Sequence, residues 1–86
     1  MICLLVYDIP SDKLRTKVAD ACLDYAMERI QYSAFMGELN HNRQGELMQK
    51  LRRLIGKREV NVQLFPICEK DMRMRRQIAV AGTKEG

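Results

Sequence analysis

The chain has 86 residues, 30% of them charged, with a net charge of +4 and one histidine. That length is one domain, burying only roughly 60–65% of its unfolded surface, so pairing with a second copy is an expected source of stability. No apolar run nears the ~20 residues of a membrane-spanning helix, and "MICLLVY" lacks the basic start and small-residue cleavage site of a secretory leader, so a soluble, cytoplasmic protein with no membrane partner is expected.

"ICLLVYD" (residues 2–8) is a short apolar run ended by Pro10, which predicts a central strand buried on both faces. Ser11 or Asp12 offers an N-cap oxygen, and Leu14, Val18, Ala21, Cys22 and Tyr25 recur at helical spacing, predicting a first helix over about 12–27. "RIQYSAFMGEL" (29–39) is strand material that can divide into a hairpin, with the bend near Tyr32–Ser33 or a bulge at Gly37. Asn40 can cap a second helix with the apolar stripe Leu47, Met48, Leu51, Leu54 and Ile55, ended by Gly56. Gly45 weakens its first turn, while Lys50, Arg53 and Lys57 mark an outer basic face. Val60, Val62 and Leu64 alternate with polar residues in a half-buried strand that stops at Pro66. A basic connector, "KDMRMRRQ", leads to "IAVAG", a short strand-like end that needs a sheet edge on its own chain or a partner's. The class is α+β: a ferredoxin-like βαββαβ sandwich over residues 1–82 with an extra short C-terminal strand, followed by a frayed tail at 83–86.

Cys3, Cys22 and Cys68 are odd in number and contain no CxxC pair, which argues against zinc and for core thiols in a reducing compartment. Residues 1–42 hold four Lys/Arg against six Asp/Glu, while residues 43–86 hold eleven against five. A basic half on a small domain suggests a polyanion partner; a solvated surface is the plainer reading. Asp8 poses a sharper question, because a carboxylate at the end of an apolar strand either caps a turn just outside the core or binds a metal ion or proton. One aspartate cannot hold Mg²⁺, which takes about six oxygens, and no second acidic residue pairs with Asp8 by sequence position.

Four segments in order, "LVYDI" (5–9), "LRTKVADACLDYA" (14–26), "RIQYSAF" (29–35) and "VQLFPIC" (62–68), resemble the Cas-two family of small CRISPR-associated adaptation proteins. The resemblance implies a ferredoxin-like homodimer in which a terminal strand joins the partner's sheet. It also implies that Asp8 from both protomers is the catalytic residue and the ligand of Mg²⁺, or of another divalent cation such as Mn²⁺. Two-fold symmetry then supplies two carboxylates from one position. Arg15, Lys17 and Arg29 match positions implicated in the family: Arg15 and Lys17 suit backbone phosphate, Arg29 suits phosphate or a brace of the dimer, and Tyr7 and Phe35 suit site support, with a core or interface place as the plainer reading. Ser33 is a further candidate donor, whereas His41 reads as an exposed loop residue and a poor general base. Ala26 stands where the family usually has glycine, and Val60 and Gln63 stand where it often has charged residues.

Two functions follow. One is a Mg²⁺-dependent phosphodiesterase, an endoribonuclease or endodeoxyribonuclease with weak intrinsic activity for want of a clear base. The alternative is a non-catalytic dimeric scaffold that bridges integrase dimers and holds duplex DNA during spacer acquisition. Arg73, Arg75 and Arg76 suit the second, since phosphate contacts need charge and no base readout. Outside the family, a small-ligand regulatory domain of similar shape predicts no nucleic-acid binding.

Overall fold

The structure, a computed structural model, describes residues 1–81. The elements are β1 (Ile2–Asp8), α1 (Asp12–Asp24), β2 (Glu28–Gln31), β3 (Ala34–Glu38), α2 (His41–Ile55), β4 (Asn61–Ile67) and α3 (Glu69–Arg73). The four strands form one sheet in the order β2-β3-β1-β4, and every neighbouring pair is antiparallel. This is the ferredoxin-like arrangement that the element order predicts.

Alternation along β1 sends Cys3, Leu5 and Tyr7 to one face, where they join Leu14, Val18 and Cys22 of α1 and Leu47 and Leu51 of α2 in the core. Ile2, Leu4 and Val6 point the other way and are only half-buried. The expectation that β1 is buried on both faces is therefore met on the helix side alone. Among the described residues nothing covers the second face, which also carries Met36 of β3 and Phe65 of β4, the cross-strand partners of Leu4.

Ser11 caps α1, its hydroxyl accepting from the Leu14 N–H at 3.2 Å. The helix ends at Asp24, earlier than its apolar spacing suggests, because Ala26 turns the chain with φ +61°. That left-handed conformation costs a non-glycine residue about 1–2 kcal/mol. Glycine would relieve it but regain roughly 0.4–1 kcal/mol of unfolded-chain entropy. Ala26→Gly should therefore raise stability by up to about 1 kcal/mol, read as a higher urea midpoint; a lowered midpoint would show that Ala26 is not strained.

The hairpin bends at Tyr32–Ser33, and its irregularity falls between Arg29 and Gln31 rather than at Gly37. Gly37 has a different role. A Cβ there would sit 2.9 Å from the Met27 Cα, so only glycine lets the turn after α1 pass this close to β3.

Asn40 Oδ1 caps α2 by accepting from the Arg43 N–H at 2.8 Å, and Gly56 ends it at φ +63°. Pro66 lies inside β4 instead of ending it, opposite Cys3. β4 is an edge strand, so the missing N–H removes no bond that the sheet requires. The basic connector begins with the short helix α3, which its sequence did not announce. Residues 75–81 take no regular structure within this chain, and Ile78 and Val80 are 94% and 84% exposed. The expected strand "IAVAG" is thus unformed in a single chain, and Gly82 with the tail at 83–86 lies outside the described residues.

Cys3 and Cys22 are buried in the core as expected, but Cys68 is exposed, its Sγ 3.2 Å from Asp71 Oδ2. The expectation of three core thiols fails there because Cys68 follows the edge strand β4 beyond the helix-covered sheet. Burial pushes the Cys22 thiol up to about 11 against the lowering influence of Arg29, so it stays protonated at neutral pH.

Candidate functional site

The candidate residues separate into three groups. The first is the end of β1. Asp8 is the last residue of that strand, is exposed, and pairs in register with Asn61 of β4. By alternation its side chain shares the uncovered sheet face with Leu4 and Val6. Asp8, Glu59 and Asn61 line one cavity of about 300 Å³, together with Pro10 and Val60. Asn61 is in turn held by Gln63, whose Nε2 donates to Asn61 Oδ1 at 3.0 Å. Sequence position did not point to Glu59 or Asn61, because only the β1–β4 register brings them to Asp8. Among the described residues no three His, Cys, Asp or Glu side chains gather at metal-binding distance. The donor set is therefore two carboxylates and an amide oxygen. It fits a hydrated hard cation that also takes oxygens from water, phosphate or a second protomer, and it does not form a closed cage.

The second group lies on the helix side of the sheet. Tyr7, Asp12, Arg15, Thr16, Arg29 and Tyr32 line a cavity of about 350 Å³. Arg15 is fixed by its surroundings. Its Nη1 donates to the carbonyls of Ile9 and Pro10 at 2.6 and 3.1 Å, and its Nη2 pairs with Asp12. These bonds tie the loop after Asp8 to the first turns of α1. The Arg15 guanidinium also stands 5.6 Å from the Tyr32 ring centre. Arg29 crosses the Phe35 ring at 5.2 Å. Phe35 itself is 1% exposed and packs beside Tyr7 with ring centres 6.4 Å apart, so it shapes the site from the core. Ser33 contributes its carbonyl, which accepts from the Tyr7 N–H at 3.0 Å. Lys17 is exposed on α1 and lines neither cavity.

The third group is the basic C-terminal segment. β4 runs from Asn61, beside Asp8, to Ile67, beside Ile2, so the chain leaves the sheet at the end opposite Asp8. Seven strand residues span roughly 20 Å. Arg73 pairs with Glu69 at 3.3 Å on α3, and Arg75 and Arg76 are exposed beyond it. On α2, Arg43 and Lys50 are occupied by Glu46, Asp24 and the ring of Tyr25. Arg52, Arg53, Lys57 and Arg58 make no ion pair among the described residues and form the freer basic surface at the end of that helix. His41 is the exposed first residue of α2 and lines neither cavity.

Residues 1–75 match the family described as CRISPR associated protein Cas2. The chain is 49% identical over 78 residues to the CRISPR-associated endoribonuclease Cas2 of Desulforudis audaxviator, covering 91% of this chain and 74% of that protein. It is 49% identical over 76 residues to a CRISPR-associated endoribonuclease Cas2 of Chloroflexus aurantiacus, covering 88% and 89%. A Cas1/Cas2 endonuclease fusion of Thermoproteus tenax is 34% identical over 67 residues, which are 78% of this chain and 25% of the fusion. The crystal structure of Streptococcus pyogenes Cas2 superposes with a TM-score of 0.78 at 20% identity, covering 92% of this chain and all of that one, a likeness of fold.

Proposed function

The chain belongs to the CRISPR-associated Cas2 family, and on that premise we propose that it is a homodimeric CRISPR adaptation protein that binds nucleic acid and hydrolyses RNA phosphodiester bonds with Mg²⁺. The observation that carries this reading is the position of Asp8. It sits at a rigid strand end, on the apolar sheet face that one chain leaves uncovered. A second copy on that face would cover Leu4, Val6, Met36 and Phe65 and bring the two Asp8 positions towards a shared axis. The open outer edge of β4 and the exposed Ile78 and Val80 support an exchange of terminal strands in the same dimer.

Asp8, with Glu59 and Asn61 beside it, would hold the cation, which when bound offsets negative charge on the phosphodiester. A water oxygen adds to phosphorus, the bond to the leaving sugar oxygen breaks, and that oxygen takes a proton. No histidine lines the Asp8 cavity, so the proton goes to or comes from solvent, which is consistent with slow turnover. The purified protein should cut single-stranded RNA in Mg²⁺ or Mn²⁺ and stop when a chelator removes the ion. Cleavage that continues in excess chelator would reject metal dependence.

A scaffold role is favoured by a separate observation: Arg75 and Arg76, which make no ion pair among the described residues, follow β4 and α3 beyond the end of the sheet opposite Asp8. The relationship to the Cas1/Cas2 fusion supports integrase dimers as the partners of that scaffold, with duplex DNA held between them. Replacing Arg73, Arg75 and Arg76 by alanine should reduce the salt slope of duplex binding by about 0.9 for each phosphate that is no longer neutralised. An unchanged slope would remove this segment from the DNA surface.

A further inference from the structure

We propose that the groove between the end of α2 and the start of β4 docks an acidic segment of a partner protein, anchored by an aliphatic side chain whose flanking carboxylates meet Arg52 and Arg58. The groove has a volume of about 310 Å³. Met48 and Ile55 line it from α2, and Val60 and Val62 line it from the chain entering β4. All four pack against the core yet are only half-buried. Arg52 and Arg58 stand at the same groove, and no carboxylate lines it. Glu59, the acidic residue next in the chain, lines the Asp8 cavity instead. The groove is on the helix side of the sheet, so a dimer through Leu4 and Phe65 on the other face leaves it open.

The charges call for an acidic occupant. Elsewhere this chain supplies its own partners: Arg43 pairs with Glu46, Lys50 with Asp24 and Arg73 with Glu69. Arg52, Arg53, Lys57 and Arg58 make no ion pair among the described residues. The carbonyl end of α2 stabilises Arg52 and Arg53 in its last turn, but only modestly at an exposed surface. The floor argues for a peptide over a nucleic acid. Phosphates need charge alone, and bases need aromatic faces or polar partners for their edges. No aromatic ring lines this groove, and its apolar floor gains nothing from a phosphate. An aliphatic side chain is stabilised by being covered there, and carboxylates beside it match the planar forks of the two arginines. At about 310 Å³ the groove lies near the small end of ligand sites, a size for a short segment rather than a folded domain.

The docking site depends on neither cleavage nor nucleic-acid binding, so it is tested on the full chain in metal-free buffer at about 0.15 M salt. The probe is a capped, fluorescein-labelled peptide, Asp-Glu-Leu-Ile-Asp-Glu, followed by anisotropy. It should bind, and a version with serine at both aliphatic positions should bind more weakly by about tenfold or more. Arg52→Glu and Arg58→Glu, both at exposed positions, should each weaken the aliphatic peptide by about tenfold or more. A peptide with lysine in place of each acid should bind the chain carrying both reversals and not the unaltered one. Met48→Gln keeps side-chain length and helix propensity. It should weaken the aliphatic peptide by about threefold or more and leave the serine version unchanged, which places the aliphatic anchor in the groove. Circular dichroism checks the fold of each variant. No binding up to about 1 mM, equal affinity of the serine peptide, or unchanged affinity in Arg58→Glu would overturn the proposal. So would a single-stranded RNA of the same length that displaces the peptide with equal affinity, which would give the surface to nucleic acid. Deleting residues 77–86 should leave peptide affinity unchanged. A clear gain on deletion would give the groove to the terminal segment of a second copy and overturn docking of a partner protein.

Discussion

Asp8→Asn should abolish Mg²⁺-dependent cleavage while leaving the fold and nucleic-acid binding in place. The substitution keeps the shape of the side chain and removes its charge. Removing a group that only supports a metal ligand costs 10–100-fold, so removing the ligand charge itself should cost at least about 100-fold in rate. Stability should hold, because Asp8 is exposed at the strand end and makes no ion pair among the described residues. The same variant probes the dimer. Two Asp8 carboxylates near one axis repel each other, so Mg²⁺ should strengthen self-association of the unaltered protein. That dependence should vanish in Asp8→Asn, whose dimer should form equally well without metal. Full-rate cleavage by the purified variant would exclude Asp8 as the metal ligand.

Phe65→Lys should convert the protein to a folded monomer. Phe65 is 46% exposed in a single chain and sits opposite Leu4 on the uncovered face. Covering such a side chain contributes about 1.5–3 kcal/mol, and two-fold symmetry counts it twice. Even partial loss at both copies, with a lysine now facing an apolar surface, should raise the dissociation constant by about 10²–10³-fold. Circular dichroism should be unchanged, since the core on the helix side does not include Phe65. Sedimentation that still shows a dimer of the same strength would place the interface elsewhere. Deleting residues 77–86 gives a separate readout of strand exchange. It should weaken the dimer while leaving the face of β1, β3 and β4 intact.

The elements legible in the chain are those specified by neighbours within a turn or two. Ser11 and Asn40 cap the helices they precede, Gly56 ends α2, and the alternation in β1 marks its core face, all from local chemistry. Features set by the third dimension were not legible in this way. Pro66 looks like a strand end but is harmless on an edge, and edge status belongs to the strand order. Gly37 looks like a bulge but is there for the backbone of Met27. Phe35, a candidate for site support, is core. Glu59 carried no signal, because only the pairing of β1 with β4 brings it to Asp8.

Composition, periodicity and the order of motifs determined the class of fold, the expectation of a polyanion partner and the family, since each rests on residue type and spacing along the chain. Only the tertiary structure decided which residues act together. Antiparallel pairing of β1 with β4 sets Asp8 against Asn61 and near Glu59, and the hairpin carries Arg29 and Tyr32 to Tyr7 and Arg15. Alternation then sends adjacent Tyr7 and Asp8 to opposite faces of one sheet. Two side chains that look like one motif in the sequence thereby belong to different layers, Tyr7 to the core and Asp8 to the exposed sheet face.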